Sequence, residues 1–210
     1  LSTQTRIEDA PDFFIALFAA ALSNSNLKAH HPMTIFVETE RFLLRELVEA
    51  DAQGLYELDS DPEVHRYLGN RPVTSIDSCF DIVQHVRRQY RENGIGRWAI
   101  EDKATNAFVG WAGLKYEMSI RVGAPYYDLG YRIIRRYWNQ GIATETALAS
   151  LHYGFHKLNL PTIFAAAHLD NKASNKILVN LGFSRIETFK LDDAVHNWYE
   201  LNSNNFLSPE

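Results

Sequence analysis

Cysteine is almost missing from this chain: Cys79 is the only one in 210 residues. That count excludes an intrachain disulfide framework and a cysteine-based zinc site, and makes the cytoplasm the simplest setting. Cys79 also falls on an apolar stripe of helical period (Ile76, Cys79, Phe80, Val83, Val86, Tyr90), which makes it a packing residue rather than a nucleophile. Concentrated positive charge is lacking too. Lys and Arg number 21 against 26 Asp and Glu, the net charge is -5, and the short basic clusters are only Arg87-Arg88 and Arg135-Arg136. A protein that grips nucleic acid through its phosphates needs a basic stripe, so no nucleic-acid partner is expected. A mildly acidic surface is compatible with cationic amines. There are no repeats, no low-complexity tracts, no G-x-S-x-G nucleophile elbow and no P-loop.

Long hydrophobic runs are also missing. Residues 13–22 are apolar throughout but too few to span a bilayer, so no membrane partner is expected. As a signal peptide the segment is poor, because Glu8, Asp9 and Asp12 stand where positive charge belongs. Residues 1–32 therefore read as an N-terminal arm or leader with a short apolar helix, and 33–210 as the functional domain, opening near Met33.

What is present is a clear alternation of elements. Residues 35–37 and 41–47 read as strand, 49–60 as helix, and 75–93 as a longer amphipathic helix capped by Thr74 or Ser75 and ended by Gly94-Ile-Gly96. Three β-like runs follow at 97–101, 108–116 and 126–134, then a helix at 141–157. A strand at 162–167, a helix at 172–180 and strands at 183–189 and 197–201 complete the order. The three consecutive strands suggest an antiparallel meander and the later β–α–β alternation a parallel pair. The expected fold is α/β: one mixed, mostly antiparallel sheet with helices on both faces.

The segment between residues 134 and 142 carries the chemistry. A strand passing through Arg135-Arg-Tyr-Trp-Asn-Gln-Gly141 into a helix offers that helix's first free N–H groups to an anion at its end. Gly141 removes a side chain where a phosphate would approach the backbone. Taken alone, this is equally an ordinary β–α connection.

The full string decides more. Residues 137–145, Tyr-Trp-Asn-Gln-Gly-Ile-Ala-Thr-Glu, resemble the acetyl-CoA pyrophosphate loop of the GNAT acetyltransferase superfamily, most closely the branch of the ribosomal-protein alanine and serine N-acetyltransferases RimJ and RimL. Arg136, Asn139 and Gly141 fall on the loop's three marked positions, with Asn139 replacing the first glycine. Residues 39–45, 97–114, 128–131 and 170–183 resemble further segments of that branch in the same order, so the likeness covers about 34–202.

The resemblance implies a fold in which the family's fourth and fifth strands, here 126–134 and 162–168, splay apart and admit the pantetheine arm. Backbone groups of Leu129, Tyr131 and Ile133 would pair with the arm, and Gly130 would mark a bulge. The pyrophosphate would sit on the N–H groups of Trp138, Asn139, Gln140, Gly141, Ile142, Ala143 and Thr144, with Arg136 beside it. Asn171 would reach the pantetheine, with Ser174 one turn further on, although Asn171 can equally cap its helix. The implied activity is transfer of an acetyl group from acetyl-CoA, as co-substrate and without a metal, to a primary amine. The acceptor is a small molecule or a protein N-terminus, and a homodimer is left open. Many relatives protonate the departing thiolate with a tyrosine of the last helix, but Leu178 stands there, so that role is not carried over. The amine's proton needs a base, for which Asp128 and Glu117 are the candidates. The absent tyrosine also fits a different class, a non-catalytic acyl-CoA-binding or sensing protein.

Two other signals are set aside. Residues 94–99 fit a G-x-G-x-x-G/A pattern but precede a strand instead of following one. His152 and His156 lie one helical turn apart without a third metal ligand nearby.

Overall fold

A computed structural model describes residues 33–118, 120, 125–191 and 193–206; the arm assigned to 1–32 lies outside the described residues. The elements are β1 (Ile35–Glu38), β2 (Phe42–Arg45), α1 (Ala52–Asp59), α2 (Pro62–His65), α3 (Ile76–Asn93), β3 (Trp98–Asp102), β4 (Phe108–Glu117), β5 (Tyr126–Ile133), α4 (Ile142–His152), β6 (Thr162–His168), α5 (Lys172–Asn180), β7 (Ser184–Leu191) and β8 (Ala194–Asn202). They form one eight-stranded sheet in the order β1-β2-β3-β4-β5-β6-β8-β7. Every neighbouring pair is antiparallel except β5 with β6, as the alternation of elements predicts. Among the described residues no helix is long and apolar enough to cross a membrane.

Local chemistry sets the boundaries. The Asp102 carboxylate accepts from the amides of Ala104 and Thr105 and from the Thr105 hydroxyl, which closes the β3–β4 turn. Helix α3 ends where Gly94 adopts a left-handed φ of 70° and returns its amide to Tyr90 O. The helix expected over 141–157 is not uniform: α4 passes into a π turn at Tyr153–Lys157.

The strands' period of two divides the side chains between two faces. Trp98, Ile100, Ala112, Leu114, Leu129 and Ile133 pack with Ala147 and Leu151 of α4 and with Leu178 of α5. On the opposite face Ala99 and Trp111 meet α1 and α3, whose Leu55, Leu58, Cys79 and Val83 are fully enclosed. Burial pushes the Cys79 thiol up to about 11, in keeping with a packing role. Both faces are thus sealed by helices, and polar groups that lie between sheet and helix must find partners there.

Candidate active site

The sheet opens at one place. Strand β6 pairs with β8 along its whole length, from Thr162↔Asn202 to His168↔His196, but with β5 only at Asp128↔Phe164. Beyond that pair β5 keeps only its β4 neighbour. The Ile134 amide donates to Val109 O on the β4 side at 3.0 Å. By the alternation of an antiparallel ladder, Leu129, Tyr131 and Ile133 then turn their N–H and C=O groups toward the gap. These are the three residues that the resemblance assigns to the pantetheine arm. One acceptor among them is used, since the Trp138 indole donates to Ile133 O at 2.7 Å.

The gap leads into the loop. A 3-10 turn at Arg135–Tyr137 follows β5, and Asn139 and Gly141 both take left-handed φ, at 61° and 76°. The amides of Asn139, Gln140 and Gly141 enter no backbone hydrogen bond with a described residue. Helical geometry leaves those of Ile142, Ala143 and Thr144 without a carbonyl one turn earlier. The Trp138 amide differs from expectation: it donates to Arg135 O at 3.1 Å, so the row of available donors starts at Asn139. Arg136 pairs with Glu57 and stacks on the Tyr137 ring, 4.6 Å from its centre, rather than reaching over the loop. An open cavity of about 460 Å³ beside this turn is lined by Glu57, Asp61, Ile134, Arg135 and Arg136.

The loop is anchored from the far end of the sheet. Glu145, in the first turn of α4, accepts from the Thr39 hydroxyl at 2.7 Å and from Arg41 Nε at 2.7 Å. Arg41 Nη1 also donates to Gln140 O at 3.0 Å. Burial pushes the Glu145 carboxyl up, but the hydrogen bonds from Thr39 and Arg41 prevail and hold it below the ordinary value. A depressed carboxyl contributes stability that is present above its unfolded value of about 4.3 and is lost as pH falls through the folded one. The variant Glu145→Gln is therefore expected to raise the acetyl-CoA Kd about threefold to tenfold, the scale of one charge-assisted hydrogen bond. It should also lose part of the wild type's drop in melting temperature between pH 5 and pH 3. Calorimetric titration with acetyl-CoA and melting across that range would check both.

Charged groups gather at the fork, on the face of α1 and α3. Asp128 is buried and its carboxylate is paired with Arg97, whose Nη1 also donates to Asp128 O at 2.6 Å and to Gly113 O. Lys115, opposite Asp128 in the ladder, bridges to Glu117, which is buried as well. Burial pushes the Asp128 carboxyl above the ordinary carboxylate value, against the pull of Arg97 and Lys115 and with a further push from Glu117. Gly130 corrects an expectation. The β4–β5 ladder runs from Gly110↔Ile133 to Glu117↔Tyr126 without a shift in register, so no bulge interrupts it there. Glycine instead leaves space for Arg97, because a Cβ on residue 130 would stand 2.6 Å from Arg97 Nη2.

Helix α5 closes the other side of the gap. Asn171 caps it, accepting from the Ser174 amide at 3.1 Å, and the Ser174 hydroxyl meets the Tyr131 hydroxyl at 3.0 Å. Leu178 is enclosed in the core.

A fork between parallel strands that runs into a loop of open amides fits one family, and comparison with known proteins agrees. The acetyltransferase (GNAT) domain model matches residues 41–184. The chain belongs to the GNAT acetyltransferase family. It is 33% identical over 149 residues to the uncharacterized N-acetyltransferase YoaA of Bacillus subtilis, covering 71% of this chain and 82% of that protein. Among solved structures, a putative ribosomal-protein-serine acetyltransferase from Vibrio cholerae matches with a TM-score of 0.66 at 18% identity, covering 79% of this chain and 96% of that one. Spermidine N-acetyltransferase from Vibrio cholerae, solved with CoA and spermine, matches with a TM-score of 0.64 at 18% identity, covering 81% and 100%. At such identities the structural likeness speaks for the fold alone.

This GNAT domain is thus an acetyl-CoA-dependent N-acetyltransferase. Sequence reading missed Arg97 and Asn175. Asn175 donates to His168 O at 2.9 Å and Asn171 O at 2.7 Å and accepts from Asn197 and the Tyr199 hydroxyl, both at 2.7 Å, tying α5 to β6 and β8. A polar side chain on the inner stripe of a short helix was the available signal.

Proposed function

We propose that the enzyme binds acetyl-CoA along β5 and the loop after it, and transfers the acetyl group directly to a primary amine in a ternary complex. One observation carries the reading: beyond the Asp128↔Phe164 pair, β5 turns backbone groups of Leu129, Tyr131 and Ile133 toward the gap, and past Ile133 O and the Trp138 amide, which have partners, lie the open amides of 139–144. The first set suits an extended amide-bearing arm, the second a pyrophosphate at a helix N-terminus. Asn171 and Ser174 would flank the arm from the other side.

Asp128 is the favoured base, with Glu117 behind it. The amine arrives as an ammonium; Asp128 takes one proton, the nitrogen attacks the thioester carbon, the C–N bond forms, the C–S bond breaks, and the nitrogen gives up its second proton to water. The thiolate leaves with the electron pair and takes up a proton from solvent, since Leu178 supplies none. A raised carboxyl value beside the fork favours Asp128 for this task.

The acceptor is a small cationic amine or a protein N-terminus, and a place beside the RimJ and RimL enzymes rests on the resemblance of the loop 137–145 and its flanking segments. Action in the cytoplasm follows from the same reading. The test is thiol release and mass shift with acetyl-CoA and a panel of spermidine, simple alkylamines and peptides with free N-terminal alanine or serine. Turnover on any member supports the reading. Tight acetyl-CoA binding with no turnover across the panel would instead favour an acyl-CoA sensor.

A further inference from the structure

We propose that Arg97 is a positioning residue for acetyl transfer: one guanidinium, seated over Gly130, fixes the Asp128 carboxyl and the point at which β5 parts from β6. The inference rests on the reading of Asp128 as base. Arg97 lies just before β3, yet all three of its side-chain hydrogen bonds go to β4 and β5. Nη1 donates to the carbonyls of Gly113 and Asp128, and Nη2 donates to Asp128 Oδ2. A planar fork of donors matches two carbonyls and a carboxylate, which a lysine's single ammonium does not. The two side chains are 12% and 11% exposed, so little water competes.

The seat is built for it. Gly113 and Gly130 are opposite each other in the ladder, but a Cβ on Gly113 would meet the Trp98 ring, and it is Gly130 that makes room for Arg97. Gly130 has no positive φ, so its glycine answers a need for space: a Cβ would lie 2.6 Å from Arg97 Nη2 and 2.8 Å from Cζ. The guanidinium is pinned by three bonds and cannot simply swing aside. Its carbon sits 5.5 Å from the centre of the Trp111 ring, which Arg132 approaches at 5.0 Å while bound to Asp59 at 2.5 Å. Arg97 is thus held on the sheet from several sides.

The place matters because Asp128 is the residue at which β5 pairs with β6. Among the described residues only its Oδ2 is hydrogen-bonded, so Oδ1 is the oxygen left to take the amine's proton. Among the described residues, the charged groups facing Asp128 are Arg97, Lys115 and Glu117. Removing the Arg97 cation favours the protonated carboxyl, so the acidic limb of activity moves to higher pH.

The experiment uses the full chain and the variants Arg97→Gln, Arg97→Lys, Gly130→Ala and Asp128→Asn. Readouts are kcat/KM against pH by thiol release, with spermidine or the best acceptor of the panel, and acetyl-CoA Kd by calorimetry. Arg97→Gln and Gly130→Ala are expected to move the acidic limb up by about one pH unit or more and to raise Kd several-fold. Arg97→Lys keeps the charge but not the fork, so its limb stays near wild type while its Kd rises. If the limb stays in place in both Arg97→Gln and Gly130→Ala and only melting temperature falls, Arg97 is a structural prop and the proposal is wrong. An acidic limb that persists in Asp128→Asn removes the reading of Asp128 as base; the clamp is then judged on Kd alone, and unchanged Kd in both variants overturns it. Should Arg97→Gln fail to fold, Gly130→Ala carries the limb and Kd readouts and Arg97→Lys the Kd readout.

Discussion

Replacing Asp128 with asparagine is expected to lower kcat by about two to four powers of ten while acetyl-CoA still binds. That range is what a positioned general base contributes. Asparagine keeps the size of the side chain, and Arg97 retains the carbonyls of Gly113 and Asp128, so the fork should hold its shape. What is lost is the oxygen that takes the amine's proton. In the wild type kcat/KM should rise as pH passes through the Asp128 value, which burial raises against the pull of Arg97 and Lys115. The variant should lose that limb, and its residual rate should track the fraction of free amine in solution instead. Single-turnover thiol release at several pH values, with Kd measured alongside, separates the outcomes. A variant that turns over at the wild-type rate would move the role to Glu117, which Lys115 joins to the same row.

Replacing Asp51 with alanine is expected to cost about 3–5 kcal/mol of stability, the usual result of stranding one member of a buried ion pair. Arg45 lies inside the protein and grips Asp51 with a two-pronged bond, Nη1 and Nη2 each at 2.8 Å, while its Nε meets Glu101 at 2.6 Å. The Asp51 carboxylate also accepts from the Val48 amide at 2.8 Å, so it shapes the turn into α1. Its loss leaves a buried cation with one carboxylate and the Glu46 carbonyl, and the Val48 amide with no partner. For a chain of this size about 2–4 °C of melting temperature goes with each kcal/mol, so a fall of roughly 10 °C is the expectation. The paired change Asp51→Leu with Arg45→Met should recover only part of it, because apolar residues replace the buried pair at little cost but Glu101 loses its partner. Equal melting temperatures for wild type and Asp51→Ala would show that water reaches Arg45. Both effects exceed that of Glu145→Gln, whose partner Arg41 is 44% exposed.

The two sites differ in how far they could be read from the chain. The strand–turn–helix order of residues 126–145 is marked by local pattern, and the glycine at 141 announces its left-handed conformation. Arg97 meets Asp128 from 31 positions away, Arg45 meets Glu101 from 56, and Arg41 reaches Glu145 from 104. No local pattern marks such partners, and a charged residue in a strand reads as solvent-facing until a helix is packed over it. Gly130 shows the same limit. A glycine within a strand signals a bulge or a close approach, and only the fold shows which group approaches.

The sequence by itself determined the element order, the mostly antiparallel sheet with one parallel pair, the strand–loop–helix around Gly141 and, through resemblance, the family. Periodicity, turn residues and capping act over a few positions, so they survive in the bare string. Tertiary structure decided where β5 leaves β6, which loop amides stay open, and how Arg97 holds Asp128. These depend on groups brought together across the sheet, where burial and charge set each other's strength.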